Sequence, residues 1–562
     1  MRPSSGAEAV DLRLWGLVLI LVVAATVAPV AAVRFVPLND YPFHLARVVI
    51  LAGLEGSGFD RFYEPGHWLL PNIAMDAFVL GIAGWLSPEI AARLFVGFTL
   101  VVQILGVAAL HAAAHGRRAL WPLVSAVVLF HGFFAYGFLN YLFGVGLAFL
   151  AAAGWMRARE APWLLLLPLG FAVSVLLMLC HMAAFGLFAV LVACIELEAT
   201  RRHARTHART GGGTGRTADL LASARRLAVR ASPLLAALLL FFVISPTRDD
   251  ALVGFANYPG HLPSKLLWRP LFSLASPTVE LDVLLALGGL GVVGWAWWSG
   301  RLRVAAPLGW AVAALLLCVL LLPKAALGSD FADTRLVPVA LLVAIAAVDI
   351  GAPRRAAATT ARVHALVAVA ILALVGARAA AQTATWVAWE QELHAIVQDF
   401  TVIAPGGIVF AVIVGPSPRL APGSQASSPA WRPSVKHVAS YASLHADVFV
   451  PMTFIDPHKQ PLRIAPRYRD LKAFQGNNPL RVDTAAELAG VIAAIDAARR
   501  AAGRVGAAAY VSVVDAGGPL TLAPPPGTAV VARGERHMLL RLPAAPPASP
   551  AADATERGAL RR

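Results

Sequence analysis

The stretch NDYPFHLAR, residues 39–47, sets Asp40 and His44 four positions apart, directly after the first long apolar run. On a helix that spacing lays a carboxylate and an imidazole along one face. Such a pair has the reach that a general base needs. The plainer reading is a helix start, because Asn39 or Asp40 followed by Pro42 makes a good N-cap with proline in the first turn. Far along the chain, Arg335 opens the run RLVPVALLVAIAAVD, with Asp333 just before it and Lys324 upstream. A guanidinium offers a rigid fork of donors that suits phosphate oxygens, and Lys324 adds a point charge. The alternative for Arg335 is an anchor snorkelling to the membrane interface.

Two glycine- and aromatic-rich junctions add further polar groups. FHGFFAYGFLNYLFGVG carries His131, Tyr136 and Asn140, and LMLCHMAAFG carries His181. Each alone reads first as a satisfied buried polar residue, although tyrosine and phenylalanine faces also stack on apolar ring faces. Arg248, Lys265, Arg269 and Asp330 join them on one arginine-poor side of the chain. Acids, imidazoles and cations gathered on one face are what a reaction site needs. No tight ligand spacing points to a metal among the histidines, so the metal content is left open.

The elements that must position these residues are membrane helices. The chain has 562 residues, of which 58% are hydrophobic and only 14% charged, and apolar runs of bilayer length recur with almost no charge inside them. The formal net charge of +15 does not indicate nucleic acid, since the arginines cluster in short loops between apolar runs as the positive-inside tendency predicts. The three cysteines, Cys180, Cys194 and Cys318, lie in apolar segments and form no disulfide or zinc pattern. The first run is longer than a signal-peptide core and reads as a retained helix.

With the arginine clusters placed on the cytoplasmic side, the path has about eleven spans, near 14–33, 92–114, 119–136, 138–156, 162–179, 182–198, 229–245, 279–298, 304–323, 336–351 and 362–383. Residues 34–91 form a first outer loop, within which 68–86 reads as an interfacial or re-entrant helix. Residues 199–228 read as a flexible basic cytoplasmic loop, and its GGGTG lacks the Gly-Lys-Ser/Thr ending of a phosphate loop. After residue 384 the pattern changes to helix, strand, helix and strand, followed by a closing strand pair. This predicts a small α/β domain over 384–543, with a Pro/Ser/Gly-rich insertion at 415–433 and a disordered tail over 544–562. An odd number of spans puts that domain outside.

In this order the motifs resemble the GT-C superfamily of membrane glycosyltransferases, which take sugars from polyprenyl-phosphate carriers. NDYPFHLARVVILAGLEGSGFDRFYEPGHW occupies the place of the acidic motif that opens the first outer loop in that superfamily. LSPEIAARLFVGFTLVVQILGVAALHAAAHGRR is similar to the second span, and DTRLVPVALLVA to the arginine-led late span. Many members carry two adjacent acids at the loop start, whereas Asp40 stands between Asn39 and Tyr41. The resemblance implies a bacterial cytoplasmic-membrane enzyme, N-terminus inside and α/β domain outside. It would transfer a sugar from a polyprenyl-phosphate donor to a glycan, lipid or protein acceptor. Asp40 would deprotonate the acceptor, and Arg335 with Lys324 or Arg269 would stabilise the departing phosphate. It singles out no cofactor and leaves room for a divalent metal. The competing classes are a non-catalytic envelope-assembly protein on the same scaffold and a transporter of lipid-linked substrates.

Overall fold

The computed structural model describes residues 10–209, 216–247, 256–257, 263–326, 330–351, 357–415 and 435–543. Within them are eight helices long and apolar enough to cross a membrane, joined by the shorter apolar helices Tyr41–Ala52, Ala306–Leu321 and Leu336–Ala347. The chain is a multi-pass membrane protein. Local chemistry starts and stops several of these helices. Asp11 caps Leu12–Ala31 by accepting the amides of Arg13 and Leu14 at 2.9 and 3.1 Å. Pro88–His115 opens behind Ser87 with proline in its first turn and ends at Gly116, whose φ of +70° closes the last turn.

Packing is tightest where side chains are smallest. Pro88–His115 crosses Leu139–Ala158 at Gly106 and Gly146, and a Cβ on Gly106 would lie 2.7 Å from the Gly146 carbonyl oxygen. The two backbones therefore touch, as small residues allow between membrane helices.

Four of the expected elements differ. The span expected at 119–136 is a 3-10 stretch, Trp121–Val128, followed by the five-residue helix Gly132–Tyr136. Pro122, Gly132 and Gly137 punctuate it too closely for a continuous helix. Residues 68–86 contain only the short helix Ala74–Ile82. The basic segment expected to be a loop over 199–228 is helical on both sides, in Met182–Arg209 and Arg216–Ile244. Alanine, leucine and arginine there are good helix formers, and only the glycine-rich 210–215, outside the described residues, separates the two helices. Finally, the span at 362–383 and the helix expected after 384 are one helix, Ala357–Gln398, of 42 residues. No proline interrupts its alanine-rich sequence, so it runs about 60 Å without a break at the expected domain boundary.

That long helix leads into a mixed five-stranded sheet in the order 529–533, 537–541, 509–515, 408–414, 480–482. The central strands Ile408–Val414 and Ala509–Asp515 run parallel, and every residue of IVFAVIV is buried. Ala485–Ala501 is capped by Thr484, whose Oγ1 accepts the Glu487 N–H at 3.2 Å, while Glu487 Oε2 reaches back to accept the Asp483 N–H at 2.7 Å. Strand pairing and helix packing bind this unit to the first loop. Tyr63–Pro65 pairs antiparallel with Leu462–Ile464, and the 3-10 segment Val435–Leu444 packs on Tyr41–Ala52. All but Gly415 of the insertion expected at 415–433, and the tail from 544, lie outside the described residues.

Candidate functional site

A cavity of about 270 Å³ lies at the seam between the membrane helices and the C-terminal unit. Asp40, His44, His181 and Arg335 all line it. It is near the lower end of the roughly 300–1,000 Å³ typical of small-molecule pockets.

Asp40 is held by backbone first. Its N–H donates to the Tyr136 carbonyl at 3.0 Å, and the Asn39 N–H donates to the Ala135 carbonyl at 2.9 Å. Gly137 makes this approach possible. It has φ +86°, and a Cβ there would sit 3.2 Å from the Asp40 nitrogen. The Asp40 side chain does not cap Tyr41–Ala52, so the plain helix-start reading leaves its carboxylate unexplained. Instead Oδ1 accepts from Asn39 Nδ2 at 2.6 Å and lies 3.5 Å from His437 Nδ1, and the Asp40 side chain is 29% exposed.

His44 lines the same cavity as Asp40, as the four-residue spacing suggested, and its ring is engaged by Arg47. Its Nδ1 lies 3.0 Å from Arg47 Nη2. A guanidinium only donates, so Nδ1 accepts and the proton of the neutral ring sits on Nε2. Burial, and then the charge of Arg47, push the His44 pKa down to about 3. The ring is therefore neutral at physiological pH, with its lone pair already occupied. Arg47 is locked in turn by a forked pair with Asp76, at 2.7 and 3.1 Å, and these side chains are 1% and 0% exposed. Asp76 is delivered by Ala74–Ile82, whose first turn is set by Asn140: Oδ1 takes the Met75 N–H at 2.7 Å, and Nδ2 donates to the Asn72 carbonyl at 2.6 Å.

Arg335 closes the opposite wall. Nε donates to the Phe331 carbonyl at 3.1 Å, Nη2 to the Asp330 carbonyl, and the guanidinium lies 5.4 Å from the ring centroids of both Phe138 and Tyr141. His181 Nδ1 accepts the Ala183 N–H at 3.1 Å. Its Nε2 then carries the proton and stands 3.4 Å from Arg335 Nη1. Two donors thus lie side by side at the cavity wall, an arrangement suited to a shared anionic oxygen.

Asp330 also lines this cavity, and the other sequence candidates do not. Arg269 and Asp333 form a buried fork, both bonds 2.8 Å, and neutralise each other. Lys324 lies 3.8 Å from Asp330 and over the Phe331 ring. His131 caps Gly132–Tyr136 by accepting the Phe133 N–H at 3.2 Å. Tyr136 packs among Phe133, Phe138, Phe272 and Phe331, and Asn140 is spent on the Asn72 turn. Lys265 donates to the Leu322 carbonyl, and Arg248 lies outside the described residues.

Sequence reasoning missed Arg47, Asn72, Tyr141 and Thr247, together with the groups from the C-terminal unit, Phe454, Lys459, Gln460 and the nearby His437. Only Arg47 carried a signal, as the third polar residue on the Asp40–His44 helix. Among the described residues no group of three or more His, Cys, Asp or Glu is placed to hold a metal.

No protein-family model matches the chain, and no curated protein matches it. Among solved structures it is similar to ArnT from Cupriavidus metallidurans bound to undecaprenyl phosphate. That match has 12% identity and a TM-score of 0.49, and covers 94% of this chain and 98% of the other. The apo state of the same protein matches over the same shares with a TM-score of 0.47. At this identity the likeness is one of fold.

Proposed function

We propose that this chain is a membrane glycosyltransferase that moves a sugar from a polyprenyl-phosphate donor to an acceptor at the outer face of the bacterial cytoplasmic membrane. The observation that carries the reading is that one cavity is bounded by a carboxylate, Asp40, and by the donors of Arg335 and His181. In the reaction the acceptor O–H gives its proton to Asp40. Its oxygen bonds to the anomeric carbon as the carbon–oxygen bond to phosphate breaks, and that electron pair leaves on the phosphate oxygen. The leaving lipid phosphate gains negative charge, so fixed donors beside it stabilise the transition state more than the bound donor. The cavity has room for a headgroup, with the prenyl tail outside it among the helices. His44 is neutral and bound to Arg47 through Nδ1, and its Nε2–H faces the Gly137 backbone, so it braces the cavity wall and does not act as a base. Undecaprenyl phosphate, bound in the ArnT structure, is a carrier of the proposed class.

The test is transfer of labelled sugar from undecaprenyl-phosphate-linked donors by the full-length protein in proteoliposomes. An amide has no useful basicity, so Asp40→Asn should fold, insert and bind donor while transfer falls by roughly a hundredfold or more. Near-normal transfer by that variant would remove Asp40 from the chemistry. The reading also requires the C-terminal unit to be outside, because the arginine clusters set the cytoplasmic side. Asp470→Cys, at an exposed position, should react with an impermeant thiol reagent on intact cells. Labelling only after lysis would reverse the topology.

A further inference from the structure

We infer that His437 is a positioning residue that holds Asp40 in place for proton transfer, which makes the C-terminal unit part of the catalytic apparatus. The inference rests on the proposed role of Asp40 as base. His437 lies 398 residues along the chain from Asn39, yet its Nδ1 is 2.9 Å from the Asn39 carbonyl oxygen. A carbonyl only accepts, so Nδ1 carries the proton. The same N–H edge lies 3.5 Å from Asp40 Oδ1. One donor therefore ties down the backbone immediately before Asp40 and presents its positive edge to the carboxylate.

Asn39 Nδ2 holds the same oxygen at 2.6 Å. With Oδ1 bonded to Asn39 and faced by His437, Oδ2 makes no hydrogen bond among the described residues, and it is the oxygen left to meet an acceptor. The imidazole is 3% exposed and stacked on Phe43, with ring centroids 3.8 Å apart and planes 22° apart. Phe43 itself lines the cavity. The remaining ring nitrogen, Nε2, is buried without a partner. A histidine kept only for packing would do as well as a phenyl ring at this position; what the imidazole adds is one N–H aimed at the Asn39–Asp40 pair.

These facts select the variants. His437→Phe preserves the stack on Phe43 and removes the donor alone. His437→Asn restores a donor near the Nδ1 position. With undecaprenyl-phosphate-linked sugar and full-length protein in nanodiscs, His437→Phe should lower kcat roughly ten- to a hundredfold, the size of effect that small misplacement of a reacting group produces. Donor KM should stay within about twofold, and His437→Asn should recover most of the loss, because positioning rather than substrate binding is what changes.

Wild-type kcat in His437→Phe, or no recovery in a folded His437→Asn, overturns the inference. Asp40→Asn run beside them separates the two ideas. If it is inactive while His437→Phe is fully active, only the positioning role falls; if it is active, the base assignment falls first. A wild-type protein that transfers nothing from these donors removes both. Spectra of ¹⁵N-histidine-labelled protein supply a readout without turnover. An Nδ1-protonated His437 whose signal moves on Asp40→Asn supports the contact, and a ring protonated at Nε2 alone overturns it.

Discussion

The helix Leu336–Ala347 has polar clusters at both ends, and the two ends are used differently. At its C-terminus the last carbonyls, which have no partner inside the helix, are taken by side chains. Trp121 Nε1 donates to Ile345 at 3.1 Å, His111 Nδ1 to Ala346 at 3.1 Å and His115 Nε2 to Ala347 at 3.0 Å. Asp349 is closed off by Arg117 at 2.6 Å. Two histidines, an acid and an arginine meet there, and the carbonyls and carboxylate they could offer a ligand are already satisfied. At the N-terminus, Arg335 and His181 are anchored from behind and still face a cavity shared with Asp40. Density of titratable groups is thus a poor sign of a site. What matters is donors and acceptors whose arrangement leaves room for a ligand.

The largest effect should come from the buried pair that braces the cavity end. Asp76→Asn leaves Arg47 buried without its counter-charge, a change that costs about 3–5 kcal/mol, so the midpoint of thermal unfolding in detergent should fall steeply. Asp349→Asn should cost less, since Arg117 is 17% exposed and water can take over part of its charge. Equal losses would erase the contrast between the two ends.

Next is activity. Arg335→Lys keeps a charge but loses the planar fork, and should lower transfer from undecaprenyl-phosphate-linked donors by roughly ten- to a hundredfold. Asp349→Asn, in the fraction that folds, should leave transfer within about threefold, as it touches no part of the proposed chemistry. A fully active Arg335→Lys with unchanged donor affinity would make Arg335 an interfacial anchor.

The narrowest effect is on pH dependence, since it shows only in acid. His44 stays neutral in the folded protein down to about 3, whereas in the unfolded chain it takes a proton near 6.5. Between those values the unfolded state binds the extra proton, so stability is lost as the pH falls from 6.5 towards 3. His44→Asn keeps an acceptor for Arg47 and cannot titrate. Its unfolding midpoint should decline less on acidification than that of the wild type, and identical slopes would mean that His44 contributes nothing to acid sensitivity.

How much of this was legible beforehand follows from the range over which each interaction acts. Apolar runs, caps and strand runs such as IVFAVIV are local, so the sequence by itself determined the membrane class, the helix start at Tyr41 and the strand Ile408–Val414. It also named Asp40, His44, His181 and Arg335 as candidates, because period and side-chain type place polar groups on a face.

Which candidates share a cavity was decided only by tertiary structure. A buried charge must find a counter-charge wherever packing brings one. Arg269 found Asp333, 64 residues away, and Arg47 found Asp76, 29 residues away, and no sequence spacing announces either partner. His131 and Asn140 went to satisfy backbone groups that only the folded junction exposes. His437 reaches Asn39 and Asp40 because the sheet unit docks Val435–Leu444 on Tyr41–Ala52. Periodicity along one element carries no information about that meeting, since it depends on the joint packing of two elements remote in sequence.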